Sequence, residues 1–238
     1  MDFCNARSVV NKSDLLSDHV ASNNIDLMFI TETWLHDQIS SSLICPPGYQ
    51  VIRKDRTSSK GGGVMLIYKS DLHITQVDIT CNVSGYELLC VDLYDGNSPI
   101  RFICYYIPPK TSLCLTSIQN VCASMSCLLL HSKPCFILGD FNLPNIDWHV
   151  PLCKGDAAHD YFFNYCLTNN LYQCINEPTH DKGNTLDLLF TNSVSKNILN
   201  SYAVLNPLSS TCDHSIISFH IRLKTLSKAA TTQYKYPI

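Results

Sequence analysis

Apolar, strand-forming runs recur along this chain in blocks, and nearly every one stops at a polar residue. Leu27-Met28-Phe29-Ile30 runs into Thr31-Glu32, residues 100–105 run into Tyr106, and Cys135-Phe136-Ile137-Leu138 runs into Gly139-Asp140. Short apolar runs bounded by turn residues read as buried strands. Others are expected at 49–53, 64–68, 74–79 and 87–93, with late strands at 187–191, 202–205 and 216–221. Gly61-Gly62-Gly63, Asn82-Val83-Ser84-Gly85 and Asp95-Gly96-Asn97-Ser98-Pro99 punctuate them. Three segments carry helical spacing instead: 13–23, 113–130 and 159–170, the second with Ile118, Val121, Cys122, Met125 and Leu128 on one face. Strand blocks interrupted by single helices predict an α/β sandwich of two packed sheets with helices on their outer faces. No repeat or linker divides the chain. Residues 1–223 read as one domain, and the polar 224–238 stretch as a loose tail.

Composition narrows the function. The chain is 45% hydrophobic and 16% charged, enough for a sizeable core and too apolar for a disordered tail. A formal net charge of -3 excludes a generally basic nucleic-acid binder but permits a local basic patch. No apolar run approaches a membrane span, and Met1-Asp2-Phe3-Cys4 is no signal peptide. Thirteen cysteines without a C-x-x-C pair argue against a zinc ribbon. Many lie in apolar runs as small hydrophobes, which points to a reducing, intracellular compartment.

Within Gly139-Asp140-Phe141-Asn142, an extended backbone would put Asp140 and Asn142 on one face with Phe141 behind them. A carboxylate beside a carboxamide suits the positioning of an attacking water or of a metal near a phosphate. The same tetrapeptide also suits a plain turn in which Asp bonds its own backbone. Polar residues at other strand ends decide between these. Asn5 and Arg7 follow Phe3-Cys4, Glu32 and Tyr106 each close a run, Asp187 opens one, and Asp213-His214 precede Ser215-Ile216-Ile217. Each alone has an ordinary explanation as a solvated or turn residue. Together they offer what phosphodiester hydrolysis requires. Glu32 with Asn5 makes an all-oxygen site of low charge that suits Mg²⁺, Asp140 with Asn142 handles water, and Asp187 can orient a protonated His214 toward a phosphate oxygen. The Tyr106 hydroxyl is a neutral donor to phosphate.

Six segments in order carry a resemblance: Asn5-Ala6-Arg7-Ser8, Thr31-Glu32-Thr33-Trp34-Leu35, Tyr106-Ile107-Pro108-Pro109, Gly139-Asp140-Phe141-Asn142, Thr185-Leu186-Asp187-Leu188 and Cys212-Asp213-His214. They resemble the motifs of the endonuclease/exonuclease/phosphatase superfamily, and within it the endonuclease domain that precedes reverse transcriptase in non-LTR (LINE-type) retrotransposons. The resemblance spans residues 3 to about 222. It implies a four-layer α/β sandwich, DNase I-like, with two mostly antiparallel sheets. It implies a Mg²⁺-dependent nick in double-stranded DNA, with Mn²⁺ a possible substitute, leaving a 3'-hydroxyl that primes reverse transcription in the nucleus. Asn5, Glu32 and Asp213 then fall to the metal, and Asp140, Asn142, Asp187, His214 and Tyr106 to catalysis. Two departures stand out. Cys212 replaces the usual serine, and Met1 lies only four residues before Asn5, which shortens the first strand. No reverse transcriptase domain follows, so a domain, a fragment or a host-retained remnant is expected.

Arg7, Arg53, Lys54, Arg56 and Lys60, with Lys182 in the 176–184 loop, are the candidate DNA contacts. Phosphate contact would make binding fall with salt; a solvated loop would not. By resemblance, the 176–184 loop, which also carries His180, probes the shape of the minor groove. Two other readings stay open: an apurinic repair-type or small-substrate phosphoesterase of the same fold, and an inactive remnant that only binds DNA or protein.

Overall fold

Side-chain alternation along the strands decides the architecture. The computed structural model describes residues 1–81 and 84–223; Asn82-Val83 of one expected turn and the whole expected tail lie outside the described residues. In chain order the first half holds β1 (Asp2–Asn5), α1 (Ser13–Ser22), β2 (Leu27–Thr31), β3 (Tyr49–Lys54), β4 (Val64–Lys69), β5 (Ile74–Gln76), β6 (Glu87–Asp95) and β7 (Ser98–Tyr106). Then come α2 (Pro109–Ser112), α3 (Leu115–Leu128), β8 (Cys135–Asp140), β9 (Ile146–Asp147), β10 (Leu152–Cys153) and α4 (Ala157–Thr168). The chain closes with β11 (Tyr172–Gln173), β12 (Asp187–Thr191), β13 (Leu199–Leu205) and β14 (Ile216–Ile221).

Two six-stranded sheets result, ordered β13-β14-β1-β2-β4-β3 and β11-β12-β8-β7-β6-β5. Only β1·β2 and β7·β8 are parallel among the described pairings. Phe3, Phe29, Phe102, Phe136 and Phe219 fill the space between the sheets, where Phe102 stacks on Phe136 at 5.3 Å between centroids. Each such side chain contributes about 1.5–3 kcal/mol through burial. Their neighbours in sequence face outward. Ile103, Tyr105 and Ile137 pack under α3 and α4, and Cys4, Met28 and Ile30 pack under α1. The result is helix, sheet, sheet, helix: the four layers expected.

Several boundaries differ from the sequence reading. The helix expected over 113–130 runs from Leu115 to Leu128 as α3, and a separate short helix, α2, precedes it, opened by Pro109 at a position where the missing N–H is no loss. The strand expected to reach 79 stops at Gln76, where pairing with β6 ends at Val91. The short first strand is not weakened at its edges. β1 pairs with β2 on one side and β14 on the other, and the Phe219 N–H donates to the Met1 carbonyl.

Candidate active site

Pairing register builds half of the site. Glu87, Tyr106, Asp140 and Asp187 are directly opposite one another on β6, β7, β8 and β12. They share parity with Leu89, Cys104, Leu138 and Leu189, which face the other sheet. A row of polar side chains therefore crosses the end of one sheet and points into the gap between the two. Gly139 makes this possible. Its φ of 147° and its closeness to Tyr105 leave no room for a Cβ, which would overlap the Tyr105 carbonyl. On the facing sheet, Asn5 has the parity of Phe3 and closes β1.

The two halves meet at Asp140. Asn5 Nδ2 donates to Asp140 Oδ2 at 2.9 Å, and Asn142 Nδ2 donates to the same oxygen at 2.9 Å. The Asn142 N–H donates to Asp140 Oδ1 at 3.1 Å. β8 ends at Asp140, and Asn142 adopts φ 50° rather than an extended form. The turn reading of the tetrapeptide holds, and the two side chains it was expected to bring together do meet. It is a turn capped by Asp140, and the turn itself brings Asn142 onto the carboxylate. A carboxylate offers about four acceptor positions, so one stays open for a water proton. Burial pushes the Asp140 carboxyl up to about 8, the Asp187 charge adds to this, and His214 and Asn5 pull against it.

Beside it, His214 Nδ1 bonds Asp187 Oδ2 at 2.7 Å, with both side chains buried. Burial works against a charge on His214. The Asp187 carboxylate, supported by Asp140 and Asp213, more than offsets that and raises the imidazole to about 10. His214 is thus an imidazolium at neutral pH with Nε2 free of Asp187. The expected Asp187–His214 pairing is present as a contact.

Glu32 lies just past β2 at φ 49°. Tyr106 donates its hydroxyl to Glu32 Oε1 at 2.5 Å, and the Trp34 indole N–H donates to Oε2 at 3.2 Å. This corrects the role read for Tyr106: one O–H donates once, so in this state it aligns Glu32 rather than a phosphate. Burial and the Glu32 charge push the Tyr106 hydroxyl far upward, which keeps that proton in place.

The donor set suits a hard divalent cation. Glu32 and Asp140 face neutral donors, and no ion pair to either is found among the described residues. Asp187 Oδ1 is buried without a hydrogen-bond partner among the described residues. Oxygen ligands with uncompensated charge match Mg²⁺ or Mn²⁺. Asp213 does not share this character. Its Oδ2 takes the Arg7 guanidinium at 2.8 Å and lies 3.9 Å from His180 Nε2.

The expected DNA contacts divide. Arg53 is spent on the protein, donating to the His36 and Ile39 carbonyls and pairing with Asp55 at 2.9 Å. Arg56 pairs with Glu87, and Arg7 with Asp213. Lys54, Lys60 and Lys182 are exposed, with Lys60 Nζ 5.9 Å above the Trp34 ring. Arg7, Lys12, Trp34, Arg56 and Lys60 line a cavity of about 740 Å³ next to Glu32. Two contacts were not legible from sequence. Thr179 Oγ1 accepts the Leu186 and Asp187 N–H groups at 3.0 Å each and so fixes the start of β12. His180, read only as part of the 176–184 loop, sits edge-on to His214, with ring centroids 4.7 Å apart. Cys212 Sγ donates to the Ala6 carbonyl at 3.3 Å, so the thiol ties the His214 loop to the Asn5 loop.

A family model described as endonuclease/exonuclease/phosphatase matches residues 1–218. No curated protein sequence matches the chain. Among solved structures, the endonuclease domain of TRAS1, a telomere-specific non-LTR retrotransposon, superposes with a TM-score of 0.74 at 16% identity, over 94% of this chain and 98% of that one. An AP endonuclease from Archaeoglobus fulgidus gives 0.73 at 13% identity, over 92% and 98%. The 3' phosphatase NExo from Neisseria, bound to a product DNA hairpin, gives 0.68 at 13% identity, over 93% and 98%. At these identities the likeness is one of fold.

Proposed function

The chain belongs to the endonuclease/exonuclease/phosphatase family, and from that premise we propose that it is a Mg²⁺-dependent endonuclease that nicks double-stranded DNA. One observation carries the reading: Asn5 of one sheet and Asn142 of the other both bond Asp140, beside the Asp187–His214 pair. Glu32, with Asn5, would hold the ion, which when bound supplies positive charge to the phosphoryl and leaving oxygens. In its ionised form, which a cation beside it would favour against the burial that raises it, Asp140 accepts a proton from the attacking water through its open acceptor position, and Asn142 orients that water. The His214 imidazolium donates from Nε2 to a non-bridging phosphate oxygen and stabilises the charge that grows there. The P–O3' bond breaks and the leaving 3'-oxygen takes a proton from solvent water, giving a 3'-hydroxyl and a 5'-phosphate. Such an end primes reverse transcription, in the nucleus, with a reverse transcriptase as partner. The motif order and the TRAS1 fold support that retrotransposon setting.

Supercoiled plasmid tests the proposal. Wild type should convert it to open circle with Mg²⁺ and not with EDTA, and His214→Ala should lose at least about a hundredfold in rate. Equal nicking by wild type and variant, or none by either, overturns the assignment. Preference for a duplex with an abasic site would place the enzyme with the repair-type readings instead.

A further inference from the structure

Three of the cations lining the cavity beside Glu32 already have partners. Arg7 holds Asp213, Arg56 holds Glu87, and Lys12 is engaged more completely than either. Lys12 Nζ donates to the Ala6 carbonyl at 2.8 Å, the Arg7 carbonyl at 2.9 Å and the Ser8 carbonyl at 3.1 Å. An ammonium has three protons, and all three are used on consecutive residues of one loop. That loop needs them. Arg7 and Ser8 have φ of 44° and 81°, a region that side chains other than glycine adopt at a cost. The turn aims three carbonyls at one point, where they would repel one another without a central charge.

The loop also sets the site. The Arg7 N–H donates to Asn5 Oδ1 at 3.0 Å, which turns the amide so that Nδ2 meets Asp140. The Ser8 N–H donates to the Glu32 carbonyl at 2.7 Å, and the Val9 N–H to the Thr33 carbonyl at 3.0 Å. The chain around Glu32 is thus held against the same loop. We infer that Lys12 is a positioning residue: its ammonium takes the place of a bound cation at the centre of the 6–8 turn and thereby orients Asn5 and Glu32. It is not a phosphate contact, although it lines the cavity.

Lys12→Met removes the donors at nearly constant length, and Lys12→Arg keeps the charge on a planar fork that does not reach three converging carbonyls. Hydrogen exchange is read first, in metal-free protein. Both variants should lose protection at the Arg7, Ser8 and Val9 amides while β2 and β4 stay protected. Unchanged protection at those amides overturns the inference. Loss of protection throughout would show that Lys12 carries the fold rather than the turn, and overturns it as well. The catalytic arm rests on the nuclease reading above: in both variants kcat should fall roughly a hundredfold, as misplacement by about 1 Å can cost, with KM changed much less. The slope of log affinity for duplex against log salt should stay at the wild-type value. A slope reduced by about one in Lys12→Met, restored in Lys12→Arg, would make Lys12 a phosphate contact and overturn the inference. Because exchange does not depend on turnover, absence of nicking by the wild type would sink the nuclease reading and leave the exchange test of Lys12 standing.

Discussion

The acidic cup and the basic cavity beside it are opposite in how their charges are balanced. In the cup, the hydrogen-bond donors to Glu32 and Asp140 among the described residues are neutral, and Asp187 keeps one buried oxygen without a partner among them. In the cavity, Arg7, Lys12 and Arg56 are already matched within the protein, and Lys60 stands out as exposed. A count of basic residues would place the binding strength in the cavity. The partners show that the unmet charge in the cup is negative, which suits a cation there, while the cavity's arginines shape its wall. The exposed Arg7–Asp213 pair fits this: such pairs are worth only about 0–1 kcal/mol, so it orients more than it stabilises.

The sharpest way to break this contrast is a pair of neutralising substitutions with opposite effects on stability. Asp140→Asn should lower kcat by roughly 10³–10⁴-fold yet raise the melting temperature of the metal-free protein, because it removes a buried, uncompensated carboxyl. Arg56→Met should lower the melting temperature, because it strands the partly buried Glu87, a loss of about 1–3 kcal/mol. If both variants melt lower, the contrast is wrong.

pH tests the same point through linkage. The folded state raises Asp140 from 3.8 to about 8 and His214 from 6.5 to about 10. Folded protein therefore binds more protons than unfolded protein across both windows, and stability must fall as pH rises. The His214 contribution is full below 6.5 and lost through about 10, while the Asp140 destabilisation develops between 3.8 and about 8. Melting of the metal-free protein between about pH 6 and 9 should show the decline, and Asp140→Asn should flatten it below about pH 8. Added Mg²⁺ should raise the wild-type melting temperature, more at about pH 8 than at about pH 6, and less in Glu32→Gln. An equal shift at both pH values would place the ion elsewhere.

The smallest expected effect is in DNA binding. Lys60→Met should reduce the salt slope of duplex affinity by about one, and Arg53→Met should leave it unchanged while lowering stability. Reversal of that order would mean that Arg53 leaves the 36–39 carbonyls when DNA is bound.

The half of the site built on strand ladders was the legible half. Tyr106, Asp140 and Asp187 each end or begin an apolar run, and period-two alternation alone puts them on the face that Phe102, Leu138 and Leu189 bury. The half built on loops was legible as residue types but not as geometry. Asn5, Glu32 and Trp34 could be named, yet φ of 49° at Glu32 and 56° at Trp34 leave no mark in composition. Arg53 and Arg56 read as a basic cluster because sequence does not display their partners: Asp55 is close, but Glu87 is 31 residues away from Arg56. His180 was named with its loop, but its place beside His214 was hidden for a similar reason, since that contact comes from one isolated bridge between two loops. The ends of α3 and α4 fall two residues from those expected, α4 starting earlier because Asp156 caps it.

The pairing of β14 with β1 has a consequence in time. Asn5 is made long before His214, and β1 gains its second neighbour only when β14 lays down beside it. Asp140 meets Asn5 from 135 positions further along the chain. A nascent chain on the ribosome therefore carries Asn5, Glu32, Asp140 and Asp187 before it carries the imidazole that completes the cup. The order of synthesis itself holds the site incomplete until β14 emerges.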